Sequence, residues 1–91
     1  MYKITYSKEV RKRLDKKFGA KDTARIESAI ERKLTVTPVK NGKALSGEWD
    51  GSWRIKVGDF RVIYLIYEEE KEVKIISIGH RGMVYDIHWM L

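Results

Sequence analysis

The sequence has no cysteine, one proline and only two histidines, His80 and His88. Without cysteine there is no disulfide framework and no thiolate metal site, and two histidines alone make no recognisable metal centre. No metal and no other cofactor is expected. Long apolar runs are missing as well. The longest, Val62 to Tyr67, falls far short of the ~20 residues that a membrane-spanning helix needs. The N-terminus carries no apolar signal stretch, so a cytoplasmic location with no membrane partner is expected. No glycine loop has phosphate-cradling spacing, and no serine sits in a nucleophile elbow. There is no internal repeat, no low-complexity tract and no dividing linker, so residues 1–91 should form one domain.

What the chain does have is positive charge and aromatic residues. Lys and Arg number 19 against 13 Asp and Glu, a net charge of +6. Three Trp, five Tyr and two Phe, within a hydrophobic content of 43%, supply one modest core and exclude a disordered tail. The charge is uneven. Residues 1–40 hold 12 of the basic and 5 of the acidic residues, a net of +7, while residues 41–91 net −1. A basic excess of this kind favours a polyanionic partner.

Tyr2 to Tyr6 alternates and is β-prone, so it reads as a strand. Ser7 suits an N-cap, and Val10, Leu14 and Phe18 then share one helix face up to a stop at Gly19. Asp22 suits the cap of a second helix carrying Ile26, Ala29, Ile30 and Leu34, which Thr35 to Pro38 should end. Lys40 to Lys43 reads as a loop. From Trp53 the period becomes two: Trp53–Val57, a Gly58-Asp59 turn, Phe60–Tyr67, a turn over Glu68–Lys71, then Val73–Ile78 with Gly79 as breaker. Val84 to Leu91 would be a short edge strand or turn. The fold class is α+β: an N-terminal strand, two helices, then a three-stranded antiparallel meander with both helices on one sheet face.

The Gly58-Asp59 turn sets a register in which Val57 faces Phe60, Lys56 faces Arg61 and Arg54 faces Ile63. Alternation then puts Arg54, Lys56 and Arg61 on one face, and Trp53, Ile55, Val57, Phe60, Val62, Tyr64, Ile66, Val73 and Ile75 on the helix face. A symmetric second turn would pair Arg61 with Ile78 and bring His80 to the cation face, with Arg81 turned inward after Gly79. Like charges directly opposite cost roughly 0.2–1 kcal/mol per pair, and only Asp59 and Asp50 lie nearby in sequence. The cluster is either a solvated face with splayed side chains or the site of an anionic ligand.

An RNA backbone is one anion such a cluster can cut without a metal. Its 2′-OH attacks the adjacent phosphate if a protein orients it, moves two protons and stabilises the phosphorane. Arginine binds phosphate bidentately. Crowding by other cations favours the neutral form of a lysine, the form a base needs. His80 is a candidate acid or base or a satisfied surface histidine; Tyr85 either stacks on a base or fills a sheet edge. Lys8, Arg11, Lys12, Arg13, Lys16 and Lys17 on the first helix, together with Lys43, are either solvated or hold RNA phosphates.

The stretch Leu45-Ser46-Gly47, then Trp53 to Tyr64 with its Gly-Asp-Phe-Arg-Val-Ile-Tyr run, then Ile76 to Arg81 and Val84-Tyr85, resembles the RelE/ParE superfamily of toxins from toxin–antitoxin systems. The resemblance covers nearly the whole chain and implies a RelE-like fold. For the RelE branch it implies a metal-independent endoribonuclease that cuts mRNA in the ribosomal A site and stops translation. Lys56 then matches a strand lysine acting as base or phosphate ligand, and Arg54 the second basic position of that strand. Arg61 matches the phosphate-stabilising arginine, Arg81 a general acid or charge stabiliser, and Tyr85 the tyrosine that stacks near the cut. The implied partners are the ribosome with its 30S A site and rRNA, mRNA, and an acidic antitoxin that forms a hetero-oligomer with an otherwise monomeric toxin. ParE-like members share the fold but poison DNA gyrase and lack this basic and aromatic set. An inactive RNA- or ribosome-binding relative is the third alternative.

Overall fold

The computed structural model describes residues 1–81. Its elements are β1 (Lys3–Tyr6), α1 (Lys8–Lys16), α2 (Ala20–Leu34), α3 (Pro38–Asn41), β2 (Lys43–Ala44), β3 (Trp53–Val57), β4 (Phe60–Tyr67) and β5 (Glu72–His80), with one 3-10 turn at Gly47–Trp49. The five strands form one sheet in the order β1-β5-β4-β3-β2. β3, β4 and β5 make the expected antiparallel meander. β1 returns to its edge in parallel to β5, because the two helices carry the chain across one face first. The fold is therefore α+β, as the patterning implied.

The helices form where period and caps agree. Ser7 accepts a hydrogen bond from the Val10 amide at 3.2 Å and starts α1, which buries Val10 and Leu14. α2 starts at Ala20, three residues earlier than an Asp22 cap would allow. Gly19 takes the cap position, and Asp22 sits in the first turn, where a carboxylate favours the positive helix end. Ile26, Ala29, Ile30 and Leu34 meet Ile55, Val57, Phe60, Val62, Tyr64, Val73, Ile75 and Ile78 in one buried cluster.

The segment expected as a loop at Lys40–Lys43 is instead ordered as the end of α3 and the start of β2. Pro38 sits at the first helical turn, the position where its fixed φ and missing N–H cost least. The buried Tyr64 hydroxyl donates to the Pro38 carbonyl at 2.6 Å and ties this segment to the middle of the sheet. Gly42 lies directly against that phenol, and a Cβ there would collide with it.

The β4–β5 register holds a correction. Pairing is symmetric from Tyr67↔Glu72 to Tyr64↔Ile75, then slips by one at a bulge, so that Ile63 pairs Ser77 and Val62 pairs Ile78. Arg61 therefore faces Gly79, not Ile78, and Phe60 faces His80. The cause lies in the core. Strict alternation would send Ile78 to the face opposite Ile75, whereas the extra residue lets both be fully buried beside Tyr64 and Val62. Gly79 does not break the strand; it is buried within β5.

Burial holds the Tyr64 phenol well above its ordinary 10.0. Burial first, then the Glu27 carboxylate, raises Tyr6 to about 12. Both phenols ionise sooner in the unfolded chain, so their contribution is complete below pH 10.0 and is lost as pH rises through the folded values. Urea unfolding should show stability falling from pH 10.0 towards 12. Tyr64→Phe should cost about 1 kcal/mol at neutral pH through the lost bond to Pro38, and should make the alkaline fall shallower. Equal alkaline slopes in the two proteins would contradict this assignment.

Candidate nucleic-acid interface

The tight turn between β3 and β4 builds the site. Gly58 adopts φ +61°, which favours glycine, and the Arg25 side chain of α2 lies over it where a Cβ would stand. The register then follows the sequence expectation: Val57 pairs Phe60, Lys56 pairs Arg61 and Arg54 pairs Ile63. Lys43 of β2 stands directly opposite Arg54. Lys43, Arg54, Lys56 and Arg61 thus share the sheet face that the helices leave free. Lys43 and Lys56 are exposed; Arg54 and Arg61 are half-buried.

Two arginines are fixed by the turn. Arg61 Nη1 donates to the carbonyls of Gly58 at 3.1 Å and Phe60 at 3.0 Å. The Arg81 amide donates to the Asp59 carbonyl at 2.9 Å, which extends the β4–β5 ladder by one step. Arg81 lies two positions beyond Gly79, the partner of Arg61, so its register position is on the cation face. It arrives there by continued pairing, without the bend expected after Gly79. His80 does not join it. The bulge turns His80 to the face of Phe60, where the two rings pack with centroids 4.6 Å apart at 33°.

A second feature escaped the sequence reading. Where β2 begins, the outer edge of β3 borders a cavity of about 380 Å³ lined by Lys33, Asn41, Gly42, Lys43, Arg54, Ile55 and Lys56. Lys33 reaches it from the end of α2 and donates to the Lys56 carbonyl at 3.4 Å. Asn41 donates to the Lys33 carbonyl at 2.8 Å and to Thr37 Oγ1 at 2.7 Å, which joins α3 to the end of α2. No local pattern flags Lys33 as different from the other helix lysines. Its role comes from the packing of α2 along β3.

The basic residues of α1 divide into two groups. Lys8, Lys12, Lys16 and Lys17 are exposed. Arg11 pairs with Glu27 at 3.2 Å and lies 4.5 Å from the Tyr6 ring centre. Arg13 lies 5.9 Å from the Phe18 ring centre. Arg11 thus braces α1 against β1 and α2, and Arg13 lies over Phe18 just past the end of α1. Tyr85 lies outside the described residues.

Along this face, cations are brought together while the ion pairs Arg11–Glu27 and Lys71–Glu68 lie elsewhere. Arg54 Nε is buried with no hydrogen-bond partner among the described residues. A buried donor in that state is costly unless an acceptor arrives, and a phosphate or carboxylate supplies one.

The sequence model of a family described as the ParE toxin of type II toxin–antitoxin systems, parDE, matches residues 4–85. The chain belongs to this toxin family. Its fold agrees with RelE toxins of known structure. Against the RelBE2 toxin–antitoxin complex of Mycobacterium tuberculosis the TM-score is 0.80 at 26% identity, covering 88% of this chain and 98% of that one. Against the isolated Escherichia coli RelE toxin it is 0.72 at 20% identity, covering 93% and 92%. Against the archaeal RelE–RelB complex of Pyrococcus horikoshii it is 0.62 at 25% identity, covering 89% and 96%. No curated protein sequence matches. The protein is thus a RelE-like toxin of a type II toxin–antitoxin system.

His80→Ala should lower stability by roughly 0.5–1.5 kcal/mol through weaker packing on Phe60, and should leave growth arrest on induction unchanged. Loss of growth arrest with stability intact would place the imidazole at the functional site instead.

Proposed function

We propose that this toxin is a ribosome-dependent endoribonuclease that cuts mRNA in the A site of the small ribosomal subunit and so stops translation. The observation that carries the reading is the convergence of Arg54, Lys56 and Arg61 on one sheet face, with Arg81 in register beside the same turn. The ribosome presents the mRNA strand and the toxin supplies the chemistry. The 2′-oxygen bonds to phosphorus as the bond to the 5′-oxygen breaks. The 2′ proton passes to a base, and a second proton reaches the leaving oxygen. The products are a 2′,3′-cyclic phosphate and a 5′-hydroxyl.

The chain's own groups suit these tasks. Arg61, anchored by two backbone carbonyls, is preorganised to meet charge growing on the phosphorane. Lys56 and Arg54 approach the same phosphate from β3, either as ligands or, for Lys56, as base. Arg81 neutralises or protonates the leaving oxygen, and Tyr85 stacks on a neighbouring base. The exposed lysines of α1 add phosphate contacts to mRNA or rRNA. An acidic antitoxin silences the toxin by covering the cation face in a hetero-oligomer; the free toxin is a monomer. This reading draws on solved structures described as toxin–antitoxin complexes, those of Mycobacterium tuberculosis RelBE2 and Escherichia coli RelBE.

The matched family description names ParE, and this favours a second reading, inhibition of DNA gyrase. The two readings part on variants of the cation face. Induced in cells, Arg61→Ala and Arg81→Ala should abolish growth arrest while circular dichroism shows an intact fold. Full toxicity of both folded variants would overturn the nuclease reading. Loss of supercoiling activity with intact mRNA would establish the gyrase one.

A further inference from the structure

The notch at the start of β2 collects four cations. Lys33, Lys43, Arg54 and Lys56 line it, and no Asp or Glu is among its lining residues. Two of these cations, Lys33 and Lys43, are outside the set proposed to act on the scissile phosphate. The notch exists because β2 pairs with only two residues of β3, Trp53 and Arg54, and leaves the β3 edge bare beyond them. Lys33 fills part of that edge by bonding the Lys56 carbonyl. Its position is set from both sides: Asn41 holds the last turn of α2, and Tyr64 holds Pro38 and the start of α3. The cations are therefore built into place on three elements.

We infer that this notch holds a second phosphate of a single-stranded RNA, adjacent to the phosphate that meets Lys56 and Arg61; the inference rests on the proposed RNA substrate. Three observations favour a nucleic acid over an isolated anion. The cavity of about 380 Å³ is larger than one phosphate requires. The cations continue out of it as a row: Lys43 opposite Arg54 on β2 and β3, Lys56 opposite Arg61 on β3 and β4. With about 4.8 Å between strands and about 6.8 Å along β3 from Arg54 to Lys56, the diagonal from Lys43 to Arg61 spans roughly 12 Å, which suits charges repeated along a backbone. Arg54 stands between the two ends, with its buried Nε lacking an acceptor among the described residues.

The test measures binding of a short fluorescein-labelled RNA, 2′-O-methylated so that it cannot be cut, across a salt series. Removing one phosphate-binding cation should flatten the plot of log K against log salt by roughly 0.7 for a single strand. Lys33→Gln and Lys43→Gln should each show that change, and Lys21→Gln, an exposed cation at the start of α2, should keep the wild-type slope. If the two notch variants keep the wild-type slope while Arg61→Gln flattens it, the notch assignment is overturned and the RNA reading stands. If the wild-type protein binds no RNA at low salt, both are overturned. A glutamate-rich peptide serves as the rival probe. Loss of peptide binding in the notch variants, with their RNA slope intact, would give the notch to an acidic protein partner and overturn the proposal.

Discussion

Lys56 faces Arg61 across the strands that flank a two-residue turn, and the register fixes both backbone positions. The register is enforced from the other side of the sheet. Ile55, Val57, Phe60 and Val62 occupy the alternate positions of the same hairpin and are all buried. A slip of one residue would expose all four and bury the cations. Each large apolar side chain contributes about 1.5–3 kcal/mol on burial, against roughly 0.2–1 kcal/mol for a like-charge cross-strand pair. The core wins by a wide margin, so the cation pair persists as a small standing cost. An anion that enters between the two side chains removes the cost.

The β4–β5 bulge follows the same logic one strand further on. Keeping both Ile75 and Ile78 in the core requires one extra residue in β5, and that residue shifts everything after it. Gly79 comes to face Arg61, so no side chain stands at the position opposite the guanidinium. His80 turns towards Phe60, and Arg81 takes the register position on the cation face. A demand of core packing thereby exchanges which basic residue stands beside Arg61, an imidazole or a guanidinium. For phosphate the exchange is favourable, because a guanidinium keeps its charge at any working pH and binds two oxygens at once.

The two long helices, the meander, the hairpin register and the shared face of Arg54, Lys56 and Arg61 were legible because each follows from local period and turn chemistry; α3 was not. The bulge was not, although its trace is present in the sequence. The Ile75-Ile76 doublet interrupts the alternation, and the next core residue, Ile78, comes three positions after Ile75. The contribution of α1 was legible only in part. Composition counts Arg11 with the neighbouring lysines, whereas its pairing with Glu27 of α2 depends on how the helix docks. The notch was invisible for a similar reason. Lys33 and Lys43 are ten residues apart, and the ties from Tyr64 to Pro38 and from Asn41 to Lys33, with the β2–β3 pairing, bring α3 and β2 to the β3 edge beside α2.

Under the proposed function, this cation face cuts RNA held by a ribosome. Primer extension on a defined mRNA in a purified translation reaction, run with and without ribosomes, tests it most directly. Cuts within A-site codons that appear only when ribosomes are present are the result expected. Intact mRNA in the presence of translating ribosomes and folded toxin would contradict it.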